Sequence, residues 1–92
     1  MDKEENIDEF LSRFLALPAG YSRVQFDARS YGMTIEVSED MKRRKLFARE
    51  LGGTDHVSFN LYQLDGKPPI LKPCEMPAAK VIDFVLSFKS TD

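Results

Sequence analysis

The sequence predicts an α+β fold, an antiparallel sheet of four to five strands with N- and C-terminal helices packed on one face. Two observations carry this. Apolar residues recur at helical spacing near both ends, and between those ends they alternate with a period of two through successive runs closed by turn residues. The element order read from these patterns is α-β-β-β-β-(β)-α.

The first helix rests on Ile7, Phe10, Leu11, Phe14 and Leu15, spaced by three, four and seven, with Asp8, Glu9, Ser12 and Arg13 on the other side. Asn6 is the expected N-cap of a helix over 7–17, and Pro18 and Gly20 stop it. From Tyr21 the period changes. Val24, Phe26 and Ala28 alternate with Arg23, Gln25, Asp27 and Arg29, then Tyr31, Met33, Ile35 and Val37 with Gly32, Thr34 and Glu36. Residues 29–32 form either a tight turn or a bulge in one long strand, and Gly32 permits both. A third strand over about 43–51 ends at Gly52-Gly53-Thr54-Asp55, a hairpin signal, and a fourth runs from His56 to Leu64. Asp65-Gly66 reads as a turn, Pro68-Pro69 as extended chain, and Ile70-Leu71 as a short edge strand blunted by Pro73. A second helix over 77–88 starts on Pro77 and carries Val81, Ile82, Val85 and Phe88 as its stripe.

Both helices have one apolar face, so they should cover one side of the sheet. The other side should show Arg23, Gln25, Arg29, Thr34, Glu36, Ser58, Asn60 and Tyr62. The third strand leaves its register open, since Leu46 and Ala48 alternate with Lys45, Phe47, Arg49 and Leu51. Either register exposes Phe47 or Leu46, and exposed apolar surface there would suit a partner or a second copy of the chain.

Ninety-two residues (10.5 kDa) suit one domain, whose folding would bury about two-thirds of the extended surface. Residues 1–5 are expected to be disordered and 89–92 frayed. A hydrophobic fraction of 42% with seven Phe argues against wholesale disorder. One cysteine excludes an internal disulfide, and the acidic start (Asp2, Glu4, Glu5) reads against a secretory leader. No apolar run approaches the roughly 20 residues of a membrane span. A cytoplasmic chain with no membrane partner is the expectation.

The net charge of −2 hides an asymmetry: residues 20–72 hold nine basic and seven acidic groups, while both flanks are acidic. The dense cluster is Lys42-Arg43-Arg44-Lys45, accompanied by Arg23, Arg29, Arg49 and Lys72 and interleaved with Tyr21, Tyr31, Phe47 and Tyr62. A basic sheet face bearing flat rings can follow a phosphate backbone while unpaired bases stack on it. Charge runs most often only solvate a surface, here opposite Glu36, Glu39, Asp40 and Glu50.

Other chemistry is thinner. Cys74 precedes the second helix, where a thiolate is stabilised, and the lone His56 would have to serve as its base. Burial at a strand-to-helix corner is the commoner fate of such a cysteine. One His and one Cys make no zinc site, and no loop has calcium-binding spacing. Gly52-Gly53-Thr54-Asp55 lacks the lysine of a phosphate loop and precedes a strand. No metal, no cofactor and no catalysis are expected.

The strand runs from Tyr21 to Phe88, the basic-aromatic strand Lys45-Leu46-Phe47-Ala48-Arg49, and Leu71-Lys72-Pro73 leading into the closing helix resemble the single-stranded-DNA-binding transcriptional coactivator and Whirly superfamily. That resemblance, which is one of topology, implies binding of unpaired strands across the sheet and oligomerisation. The chain departs from it in being slightly acidic and in carrying a helix ahead of the sheet. The sequence thus points first to a non-catalytic binder of single-stranded nucleic acid. Arg29, Lys42, Arg43, Arg44, Lys45 and Arg49 would contact phosphates, with Phe47 and Tyr62 stacking. The alternatives are a homodimeric protein-interaction module and, third, a thiol-dependent activity at Cys74.

Overall fold

Among the described residues, six strands form one antiparallel sheet in the order β5-β4-β3-β2-β1-β6, with two helices against one of its faces. The structure is a computed structural model, describing the backbone of residues 3–91 and side chains from Ile7 to Thr91. The elements are α1 (Lys3–Leu15), β1 (Gly20–Phe26), β2 (Arg29–Val37), β3 (Arg43–Glu50), β4 (His56–Tyr62), β5 (Ile70–Pro73), α2 (Ala78–Ser87) and β6 (Lys89–Ser90). Strands β1 to β5 follow one another as a meander, and the chain returns through α2 to lay β6 on the free edge of β1.

Period-two alternation gives the sheet a dry side. Val24, Tyr31, Met33, Ile35, Leu46, Ala48, Val57, Phe59 and Leu61 are buried beneath Phe10 and Phe14 of α1 and Val81, Phe84 and Val85 of α2. Phe59 packs on both α1 rings, with centroids 5.6 Å from Phe10 and 4.9 Å from Phe14. The register of β3 left open by the sequence resolves with Leu46 and Ala48 inward and Phe47 outward. Arg13 ties the helices together. Its guanidinium donates to the carbonyl of Phe88, the C-cap residue of α2 (2.6 Å), and lies 4.8 Å over the Phe88 ring.

Several boundaries differ from expectation. The helix expected over 7–17 starts at Lys3, so Asn6 lies inside it and is no N-cap; of residues 1–5 expected to be disordered, Met1 and Asp2 fall outside the described residues. Pro77 is the N-cap of α2, extended at φ −66 and ψ 147, rather than its first helical residue. Of residues 89–92, expected to be frayed, Lys89 and Ser90 pair with Gln25 and Val24 as β6, and Asp92 falls outside the described residues.

The turn between β1 and β2 is at Asp27-Ala28, not within 29–32. Both residues have positive φ (53° and 63°), as a two-residue hairpin of primed type requires. Closing the strand there restarts the alternation. Arg29 pairs with Phe26 and shares the parity of Tyr31, which places it on the helix side of the sheet.

A polar cluster fixes the far end of the β3–β4 hairpin on that helix side. The buried Tyr31 hydroxyl donates to Asp55 Oδ2, and Lys80 of α2 holds Asp55 Oδ1, each at 2.7 Å. Glu50 Oε1 accepts from the Asp55 backbone N–H (3.1 Å) and lies 3.8 Å from Arg29. Burial, and then the bond to Asp55, push the Tyr31 phenol up to about 12. The hydrogen bonds from Lys80 and Tyr31 hold the Asp55 carboxyl below its ordinary value.

Candidate nucleic-acid interface

The helices leave the other face of the sheet bare, and the registers say what stands there. One row across the strands is Tyr21, Thr34, Phe47 and Ser58; the next is Arg23, Gly32, Arg49 and His56. Beyond them come Glu36, Lys45, Asn60 and Lys72, then Arg43, Tyr62 and Ile70, with Lys89 opposite Gln25 at the β6 edge. Arg23, Arg43, Lys45, Arg49, Lys72 and Lys89 thus share a face whose strands contribute a single carboxylate, Glu36. Among the described residues none of these cations lies within 4.0 Å of a carboxylate. A chain of net charge −2 therefore presents, among the described residues, six strand cations against one strand carboxylate on one side.

Tyr21 and Phe47 lie open on this face. Tyr21 is 64% exposed and leans over Gly32, where an added Cβ would come within 2.7 Å of its hydroxyl; the missing side chain lets the ring rest on the sheet. Phe47 is 41% exposed and nearly parallel to the His56 ring (25°), centroids 6.3 Å apart. Tyr62 is half-buried, opposite Arg43.

The structure thus brings together Arg43, Lys45, Phe47, Arg49 and Tyr62 from the expected set. It separates three others. Arg29 is on the helix side beside Glu50, because the Asp27-Ala28 turn resets its parity. Arg44 pairs with Val37 and Leu61 on that same side, where its Nε is buried without a hydrogen-bond partner. Lys42 sits in the β2–β3 turn, 3.5 Å from Asp65. Tyr31, counted among the interleaved aromatics, is core. Sequence reasoning left out Lys89 because it assigned β6 no structure, and it gave Arg23 and Lys72 no contact role although the alternation of β1 already pointed Arg23 outward.

The β2–β3 turn carrying Lys42 is built locally. The Ser38 hydroxyl donates to Asp40 Oδ1 (2.7 Å), which also accepts the Lys42 N–H (3.0 Å), and these bonds hold Asp40 below the ordinary carboxylate value. The fourth strand adds no apolar residue to the exposed surface. Val57, Phe59 and Leu61 are all buried, and Met41, Leu51 and Leu64 are exposed in the connections between strands.

Cys74 is half-buried, and its Sγ accepts from Asn60 Nδ2 at 3.9 Å while His56 stacks on Phe47. Among the described residues no hydrogen bond joins Cys74 to His56, and no three His, Cys, Asp or Glu side chains gather as a metal site needs. No helix among the described residues is long and apolar enough to cross a membrane. Compared with protein-family models, curated proteins and solved structures, the chain matches none of them.

Proposed function

We propose that this chain is a non-catalytic cytoplasmic domain that binds single-stranded nucleic acid across the bare face of its sheet. The observation that carries the reading is the sorting of charge. Among the described residues, six cations with no carboxylate within 4.0 Å stand with Tyr21, Phe47 and Tyr62 on the face that the helices do not cover. Phosphates would sit on the Arg and Lys side chains, and unpaired bases on the rings, each stack being worth about 1–3 kcal/mol. Duplex DNA hides its base faces, so single strands should win over duplex of equal length. The expected resemblance to the coactivator and Whirly superfamily would assign the same surface.

Binding of a labelled oligonucleotide, followed by anisotropy between about 50 and 200 mM salt, tests this. With all six cations engaged, log K should fall against log salt with a slope near −4, at roughly −0.7 per phosphate on a single strand. Absence of binding at the lowest salt would remove the reading.

A further inference from the structure

At the hairpin end of the bare face lies an open cleft of about 460 Å³, lined by Phe47, Arg49, Gly53, Thr54, Asp55 and His56. Its volume is within the range of small-molecule sites. Resting on the nucleic-acid reading above, we propose that this cleft is a subsite for one nucleotide. The base lies on the Phe47–His56 ring pair with its edge toward the Gly53-Thr54 turn, and the phosphate lies on Arg49.

Four observations support the placement. The two rings are near parallel and open to solvent, offering an unpaired base a stacking surface. Arg49 sits directly across from His56 on the neighbouring strand, is exposed, and has no carboxylate within 4.0 Å among the described residues. In the turn, the Gly53 and Thr54 N–H groups and the Thr54 hydroxyl make no hydrogen bond among the described residues, so donors are free at the cleft's edge. The charge also sorts the two halves of the ligand. The Glu50 carboxylate lies directly under the turn, since a Cβ at Gly53 would collide with it, and this disfavours phosphate at that end. A neutral base edge suits the turn, and the phosphate falls to Arg49. Asp55 adds little repulsion because both its oxygens are engaged behind the cleft by Tyr31 and Lys80.

Titration of the ¹⁵N-labelled chain with adenosine 5′-monophosphate, with inorganic phosphate as the comparison, reads the subsite directly. Saturable shifts should concentrate on the amides of Phe47, Arg49, Gly53, Thr54 and His56, and phosphate alone should bind more weakly. Phe47→Leu should weaken the mononucleotide by about 5- to 150-fold, the loss of one stacked base, while Lys67→Gln, in the β4–β5 connection outside the bare face, should leave it unchanged. Shifts scattered over the face, equal binding of phosphate, or equal losses in the two variants would overturn the subsite. The same sample with an oligonucleotide separates the two proposals. Salt-dependent oligonucleotide binding without localised mononucleotide shifts removes the cleft alone, whereas no oligonucleotide binding removes the reading beneath it.

Discussion

The two faces of the sheet are made by the same strands and obey opposite rules. On the covered face, β2, β3 and β4 contribute Met33, Ile35, Leu46, Ala48, Phe59 and Leu61, and two helices exclude water from them. On the bare face the intervening residues are Thr34, Lys45, Phe47, Arg49 and Asn60. The alternation that builds the core therefore also collects the cations, because every residue that does not point into the dry layer points out of it. Stability should reside on one face and ligand binding on the other, and mutations should separate accordingly.

The largest effect should come from the covered face. Phe59→Ala removes a ring that meets both Phe10 and Phe14, and should cost about 3–5 kcal/mol in a denaturant melt, a large share of what a domain this size has. Next comes the polar cluster at the hairpin end. Tyr31→Phe should cost roughly 1–3 kcal/mol, since its hydroxyl bonds a carboxylate. The pH dependence has a definite sign. The folded Tyr31 phenol ionises near 12 against about 10 in the unfolded chain, so its contribution is complete below pH 10 and is lost on rising toward 12. Asp55 is depressed, so its contribution is present above about pH 4 and is lost as the solution is acidified below that. Melts across both limits, with Tyr31→Phe lacking the alkaline loss, check this. The smallest stability effect belongs to the bare face. Tyr21→Ala should shift the melt by less than about 0.5 kcal/mol, because the ring is largely exposed, yet should weaken oligonucleotide binding severalfold with an unchanged salt slope.

The same comparison shows what could be read from the sequence. Strands with a clean period of two were legible: β4, and β2 from Tyr31 onward, sorted their residues to the correct faces because each has one uniformly apolar set there. Arg29 was misplaced because Ala28 is apolar and continued the pattern of Val24 and Phe26 through what is a turn. Asp-Ala lacks the glycine that usually marks positive φ at two successive positions. The run Lys42-Arg43-Arg44-Lys45 looks like one patch in a linear reading, but a strand sends its neighbours to opposite sides, so Arg44 went to the helix side and Lys42 stayed in the turn. Lys89 depended on β6, a two-residue pairing with β1 that no local pattern encodes. The ring pair of Phe47 and His56 was likewise hidden, since it arises from the offset between β3 and β4 across the hairpin.

The central claim is that binding follows the face on which a cation stands and not the number of cations in the chain. Two variants of equal charge test it. One carries Gln in place of Arg23, Lys45 and Arg49, all on the bare face; the other carries Gln in place of Arg29, Lys42 and Lys67, which lie outside it. In salt titrations with one oligonucleotide, the first should lose about 2 from the slope of log K against log salt, and the second should match the original chain. Equal losses in the two variants would contradict the account.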